Sequence, residues 1–169
     1  DILAVAYFDT LQLDPACPLD PGRDRLILSK GHAAMALYAA LAERGFLPAA
    51  ELAEFNHDGG RLAETPPANR VPGVEAATGS LGHGRPVGVG ITLAGRLQQR
   101  HHRTYVVMSD GECNEGSVWE AALFAAAQRL DRLAVVVDRN GWQATGRSEE
   151  IMALAPLAAK WEAFGWSAH

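Results

Sequence analysis

Cysteine is scarce in this chain: Cys17 and Cys113 are the only two, they stand far apart, and neither belongs to a CxxC pair. That argues against a disulfide framework and a zinc knuckle, and leaves two reduced thiols as the expectation. Long apolar runs are missing too. Segments such as AALFAAA and LAVVVD fall well short of the roughly 20 residues that a membrane-spanning helix requires. Positive charge has no stripe or patch. With a net charge of −5 and scattered Lys and Arg, nothing forms an electrostatic footprint for nucleic acid or an anionic membrane. No charged-then-apolar leader opens the chain, and no internal repeat or low-complexity segment interrupts it. The expectation is a soluble, cytoplasmic protein with no nucleic-acid or membrane partner. Its 169 residues, 48% of them hydrophobic, suffice for one α/β core and not for two comfortable domains.

What is present is an alternation of strand-like and helix-like segments. DILAVAYFDTLQL places Ile2, Leu3, Ala6, Tyr7 and Leu11 at helical spacing, with Asp1 able to cap it. RLILS reads as a strand and runs at once into KGHAAMALYAALAERGF, where Met35, Leu37, Tyr38 and Leu41 mark a helix ending at Gly45. PAAELAEFN suggests a second, short helix with Pro48 in its first turn. HDGGRLAETPPANRVPGVEAATG then holds too many Gly and Pro for regular structure, and a loop of that length suggests a task. In this loop Glu75 is expected to be a salt-bridge partner that orders it. GRPVGVGITLAGRLQQR resumes a helical register, its glycines implying close helix packing. RTYVVMS and RLAVVVDRN read as strands, EGSVWEAALFAAAQRL as a helix, and EEIMALAPLAAKWEAFGW as one or two more. The fold class this predicts is α/β, a doubly wound parallel sheet with helices on both faces and right-handed crossovers.

In such sheets ligands gather beyond the carboxyl ends of the strands. VVM runs into Ser109-Asp110-Gly111 and VVVD into Arg139-Asn140-Gly141. If these strands are neighbours, Asp110 and Asn140 emerge from one edge and can converge on one ion. A carboxylate and an amide oxygen, with no His or Cys near them in sequence, form a hard oxygen set suited to Mg²⁺ or Ca²⁺ rather than zinc. Gly111 allows close approach of the backbone to a phosphate, and the helix beginning near Asn114 to Gly116 turns its positive end to the same region. Each piece taken alone has an ordinary reading: Asp-Gly after a strand is a common turn, and Trp142 is a core aromatic.

SDG at 109–111 followed by Asn140 resembles the thiamine diphosphate motif, a Gly-Asp-Gly closed about 30 residues later by Asn. LSKGHAAMALYAAL, VPGVEAATGSLGHGRPVGVGITLA, SDGECNEGSVWEAALFAAAQRL, VVVDRNGWQATG and WEAFGW resemble the diphosphate-binding part of transketolase, in the form divided between two chains. The resemblance implies that Asp110 and Asn140 bind Mg²⁺ by their side chains and Trp142 by its carbonyl, with Ca²⁺ as a possible substitute. It places Gly111 against the diphosphate and Gly79, Ser80 and Leu81 beside the aminopyrimidine of thiamine diphosphate. It gives His32 a place in the substrate channel and Glu115 a place at the subunit interface.

The resemblance further implies a transketolase-type transferase. A two-carbon ketol unit would pass from a ketose to an aldehyde, with a catalytic glutamate supplied by a separate C-terminal subunit carrying the pyrimidine-binding domain. The implied assembly is a heterotetramer. The alternatives are one chain of a thiamine enzyme that works on 2-oxo acids, a cofactor-binding subunit without catalysis, and a Mg²⁺-dependent phosphate-binding protein. Departures from the family pattern are specific. Ser109 stands where the motif usually has Gly, ETPPANRVPGVE lacks the histidine common before PGVE, and the single domain, residues 1–169, lacks family segments at both ends.

Overall fold

The computed structural model describes all 169 residues. Its central sheet has three parallel strands in the order β1 (Arg25–Leu28), β2 (Thr104–Ser109) and β3 (Leu133–Asp138). Around it lie α1 (Ile2–Val5), α2 (Ala34–Arg44), α3 (Gly84–Leu97), α4 (Gly116–Ala127), α5 (Ser148–Ile151) and α6 (Leu157–Ala163). After β3 a small antiparallel ribbon pairs β4 (Trp142–Gln143) with β5 (Gly146–Arg147).

The alternation of side chains along each strand assigns the helices to faces. Leu26 and Leu28 of β1 and Val107 of β2 cluster with Leu37, Tyr38 and Leu41 of α2. Ile27 and Val106 point the other way, to Val89 of α3 and Ala121 and Ala125 of α4. A third cluster, Met108, Cys113, Val118, Ala122 and Trp161, closes the carboxyl end of β2. Helices therefore cover both faces of a parallel sheet, as the α/β reading requires. Each fully buried Leu contributes about 1.5–3 kcal/mol. Met35, at the same helical spacing, lies outside this stripe and is 59% exposed.

Helix ends follow local chemistry. α2 stops at Gly45, whose φ of 94° places it in the left-handed region, and the Phe46 N–H returns to the Leu41 carbonyl at 2.8 Å. Asp1, expected to cap the first helix, makes no side-chain capping bond. Its carbonyl accepts from Val5 N at 3.0 Å, and α1 continues into a π-helical turn, Ala6–Thr10. The segment after Pro48 is a 3-10 helix, Ala49–Glu54, rather than an α-helix; so short a segment gains little from α-helical propagation. The last helical stretch divides into α5 and α6 ahead of Pro156, which has no N–H to continue a helix. α3 approaches β2 closely: a Cβ on Gly88 would lie 2.5 Å from Val106 Cγ2, whereas Gly90 faces open space.

The long loop before α3 is irregular but anchored. Glu75 pairs with Arg23 and with Arg25, as expected of a loop-ordering residue. Tyr38 donates to the Ala63 carbonyl at 3.0 Å and Thr78 Oγ1 to the Leu28 carbonyl at 2.7 Å.

At the opposite, amino edge of the sheet, His102 is 9% exposed and neither ring nitrogen has a hydrogen-bond partner. Burial, then Arg25, with help from Arg100 and Arg132 and against Asp24, holds its imidazole below the usual range. A depressed folded-state value means that its contribution to stability is complete above the unfolded value of about 6.5 and is lost as pH falls through the folded one. His102→Gln is therefore expected to flatten the stability profile below about pH 6.5, read by urea denaturation. A profile parallel to that of the wild type would contradict this.

Candidate functional site

Parallel pairing brings the carboxyl ends of all three strands to one edge: Leu28 is level with Val107, and Ser109 with Asp138. Each strand leads into one of the sequence motifs, Ser29–His32, Asp110–Asn114 and Arg139–Trp142. The loop through Gly79 joins them from the side. Gly31 lies so close to it that a Cβ there would stand 2.7 Å from Gly79 N and from the Thr78 carbonyl.

Asp110 sits at the centre, 1% exposed. Its Oδ1 accepts from Gly111 N at 2.9 Å, and its Oδ2 from Gly141 N at 3.1 Å and Ser148 Oγ at 3.0 Å. The carboxylate thus bridges its own turn, the loop after β3 and the start of α5. Asn140 is the neighbour of Gly141 on that loop; its exposed side chain accepts from Trp142 N at 2.9 Å. Trp142 is not a core aromatic. The residue is 55% exposed, and its ring lies beneath the Arg147 guanidinium, whose carbon is 4.6 Å from the ring centre. Ser109 stays within β2 and is not among the residues with positive φ, so the Ser-for-Gly exchange needs no unusual backbone.

Charge around this edge is mixed. Lys30, from the motif after β1, pairs with Asp138 at the end of β3. The Lys30 hydrogen bond is the main reason that the Asp138 carboxyl lies below the usual carboxylate range. Asn140 Nδ2 donates to the same Asp138 oxygen at 3.4 Å.

His32 is exposed within a 3-10 turn, Gly31–Ala33. Gly79, Ser80 and Leu81 are exposed along their loop, and His83 ends it as the N-cap of α3, with Nδ1 3.3 Å from Ser80 Oγ and 3.1 Å from the Leu81 carbonyl. Glu115 is the N-cap residue of α4, exposed and without a capping hydrogen bond.

Two residues of the acidic motif gain an environment that their spacing did not disclose. Glu112 is fully buried, and its carboxylate accepts from Ser29 Oγ, Gly82 N and Ser109 N. Its partners lie up to 83 residues away, so no local pattern could find them. Cys113 is buried, and burial, opposed by Arg85, pushes its thiol up to about 12. It stays protonated and is no nucleophile.

Of the oxygens expected to hold a cation, the structure brings the Asp110 carboxylate against the Gly141 N–H, in the loop that bears Asn140 and Trp142. No three His, Cys, Asp or Glu side chains gather into a metal cage anywhere in the chain.

Comparison with known proteins gives the family. Residues 1–169 match the family described as "Transketolase, thiamine diphosphate binding domain". A 6-deoxy-6-sulfo-D-fructose transketolase subunit from Clostridium sp. (strain MSTE9) is 44% identical over 166 residues, 98% of this chain and 60% of that protein. A subunit of the apulose-4-phosphate transketolase of Actinobacillus succinogenes is 43% identical, across 100% of this chain and 61% of that one. The chain therefore spans about three fifths of the length of these curated relatives. Among solved structures, a transketolase mutant from Pichia stipitis superposes with a TM-score of 0.89 at 31% identity, covering 97% of this chain and 26% of that one. Transketolase from Leishmania mexicana gives 0.87 at 30%, covering 95% and 26%.

Proposed function

The chain belongs to the transketolase family through that family's thiamine diphosphate-binding domain, and from this we propose that it is the diphosphate- and metal-binding subunit of a two-chain, cytoplasmic transketolase. The observation that carries the reading is the contact between Asp110 and the loop bearing Asn140 and Trp142, at the ends of adjacent parallel strands. Asp110 and Asn140 by side chain and Trp142 by carbonyl would hold Mg²⁺, which Ca²⁺ could replace, and Gly111 would lie against the diphosphate. Gly79, Ser80 and Leu81 would border the aminopyrimidine.

The residues present fit such a group. The donor set is all oxygen, and nothing lies within 4 Å of where a Cβ on Gly141 would be, so the loop between the ligands leaves room. When bound, thiamine diphosphate supplies the carbanion chemistry that breaks and makes carbon–carbon bonds beside a carbonyl. The work of this chain is to bind and orient it. Asp110 and Asn140 would hold its charged end, the Gly79–Leu81 loop would border its aminopyrimidine, and His32, exposed at this edge, would exchange a proton with substrate hydroxyls.

The catalytic glutamate and the pyrimidine-binding surface belong, in this reading, to a separate C-terminal subunit. Glu115 lies at the interface and the assembly is a heterotetramer. The names of the relatives, each described as one subunit, support a divided enzyme. Those relatives are named for different ketoses, one carrying a sulfo group and one a phosphate, and the donor here is a ketose with an anionic terminus.

The test mixes the full-length protein with the pyrimidine-domain chain, then supplies ketose phosphates and an aldehyde acceptor. Ketol transfer is expected only in the mixture, and Asn140→Ala is expected to lower kcat/KM by about 100-fold. Turnover of 2-oxo acids instead, or tight cofactor binding with no turnover, would overturn the transketolase assignment.

A further inference from the structure

Three loops of the candidate site meet at one buried side chain. Glu112 is 0% exposed, yet it carries a carboxylate into the centre of the molecule. Oε1 accepts from Ser29 Oγ at 2.5 Å and from Gly82 N at 2.9 Å, and Oε2 from Ser109 N at 2.9 Å. Ser29 opens the motif after β1, Gly82 closes the Gly79–Leu81 loop, and Ser109 immediately precedes Asp110.

Gly82 is held on every side by the segment that contains Glu112. Its N–H goes to Glu112, and its carbonyl accepts from Ser117 Oγ at 3.0 Å. Its φ is +78°, and a Cβ would lie 2.6 Å from Glu115 Cβ and 2.8 Å from Ser117 Oγ. Position 82 therefore demands glycine both for backbone conformation and for space. Ser80 and Leu81, just before it, are exposed. Their placement depends on the gripped residue that follows them.

We infer that Glu112 is a positioning residue that fixes the Gly79–Gly82 loop against the Asp110–Gly111 turn, setting the spacing at which the two ends of thiamine diphosphate are held. The inference rests on the cofactor reading above for what the loops bind, while the grip itself is a property of this chain. Glu112 lies in the same 3-10 turn, Gly111–Asn114, that follows Asp110 as its N-cap, so the carboxylate links the two loops within a single turn of backbone.

The chemistry of the carboxylate makes it hard to replace. Three donors converge on it, two of them backbone N–H groups that can only donate. A glutamine has one acceptor oxygen, and its NH₂ group would face an N–H wherever it turned, leaving a buried donor unpaired. Ser29→Ala removes one hydrogen bond of similar burial but leaves both backbone N–H groups paired. A role confined to general stability would speed exchange across the strands as much as across residues 78–84.

The test is amide hydrogen exchange on the cofactor-free full-length protein, followed by Mg²⁺–thiamine diphosphate binding by calorimetry. In Glu112→Gln, exchange across residues 78–84 is expected to speed about 10–100-fold while β1, β2 and β3 keep wild-type protection. The Kd for thiamine diphosphate is expected to rise about tenfold, and Ser29→Ala to change neither by more than about threefold. If Glu112→Gln does not fold, Ser117→Ala releases the other side of Gly82 and is expected to show the same local acceleration. Unchanged exchange at 78–84, or acceleration spread evenly over the strands, would overturn the inference. Wild-type cofactor affinity in Glu112→Gln beside complete loss in Asp110→Ala would also overturn it and leave the cofactor reading standing. Wild-type affinity in Asp110→Ala would instead remove the cofactor reading.

Discussion

Asp110→Asn is expected to fold and to lose Mg²⁺-dependent binding of thiamine diphosphate, with Kd raised by at least about 100-fold in calorimetric titration. The side chain keeps its size, so the effect isolates charge. Three donors now point at the carboxylate: Gly111 N, Gly141 N and Ser148 Oγ. An amide oxygen can still accept from some of them, which limits the loss of stability to that of a single strained hydrogen bond, about 1–3 kcal/mol. A hard divalent cation with one protein carboxylate among its ligands loses far more when that charge disappears, because the remaining protein donors are neutral oxygens. Asp110→Ala should add a larger drop in melting temperature, since the part-buried Gly111 and Gly141 N–H groups and the buried Ser148 hydroxyl lose their acceptor. Comparing the pair separates metal loss from unfolding: Asn changes binding much more than stability, and Ala changes both.

The largest expected effect on stability lies at Arg85, which is 0% exposed and packs against two indoles that also meet each other edge to face. Its guanidinium carbon is 4.2 Å from the centre of the Trp161 ring and 4.6 Å from that of Trp166. It donates to the Val118 carbonyl, but Nε and Nη2 have no partner, and burial pulls its pKa down to about 9. No carboxylate pairs with it. The two ring contacts are worth about 2 kcal/mol each when desolvated. The burial of an unpaired charge opposes them with several kcal/mol. Since these nearly cancel, what Arg85 chiefly supplies is volume packed against Trp161 and Trp166. Arg85→Met is therefore expected to be as stable as the wild type or about 1–2 kcal/mol more so. Arg85→Ala, which leaves a cavity, is expected to lose about 2–4 kcal/mol in chemical denaturation. If Met proves as damaging as Ala, the charge itself holds the aromatic cluster together.

The parts of the fold set by short-range rules were legible in the sequence. Apolar β-type runs fell at β1, β2 and β3, and Gly45 ended α2 as its left-handed conformation requires. The sequence could only suppose that β2 and β3 are neighbours; the structure pairs them, and with that Asp110 meets the loop that bears Asn140. The parts decided by long-range contact were not legible. Glu112 looks like one more acidic loop residue until Ser29 and Gly82 arrive beside it. Lys30 and Asp138 are 108 positions apart, and only the sheet brings them together. Trp142 misled for a related reason: an indole after a strand suggests a core, but here Arg147 on the partner strand of a small ribbon covers its face instead. Asp1 had capping chemistry without capping geometry.

That a divided site is the central claim makes one titration the most direct test: thiamine diphosphate added to the full-length protein, with and without Mg²⁺, alone and with the pyrimidine-domain chain. The account predicts saturable, Mg²⁺-dependent binding in the mixture and at least about tenfold weaker binding to the single chain. Equal affinity in the presence and absence of the second chain, or binding in the mixture that ignores Mg²⁺, would contradict it.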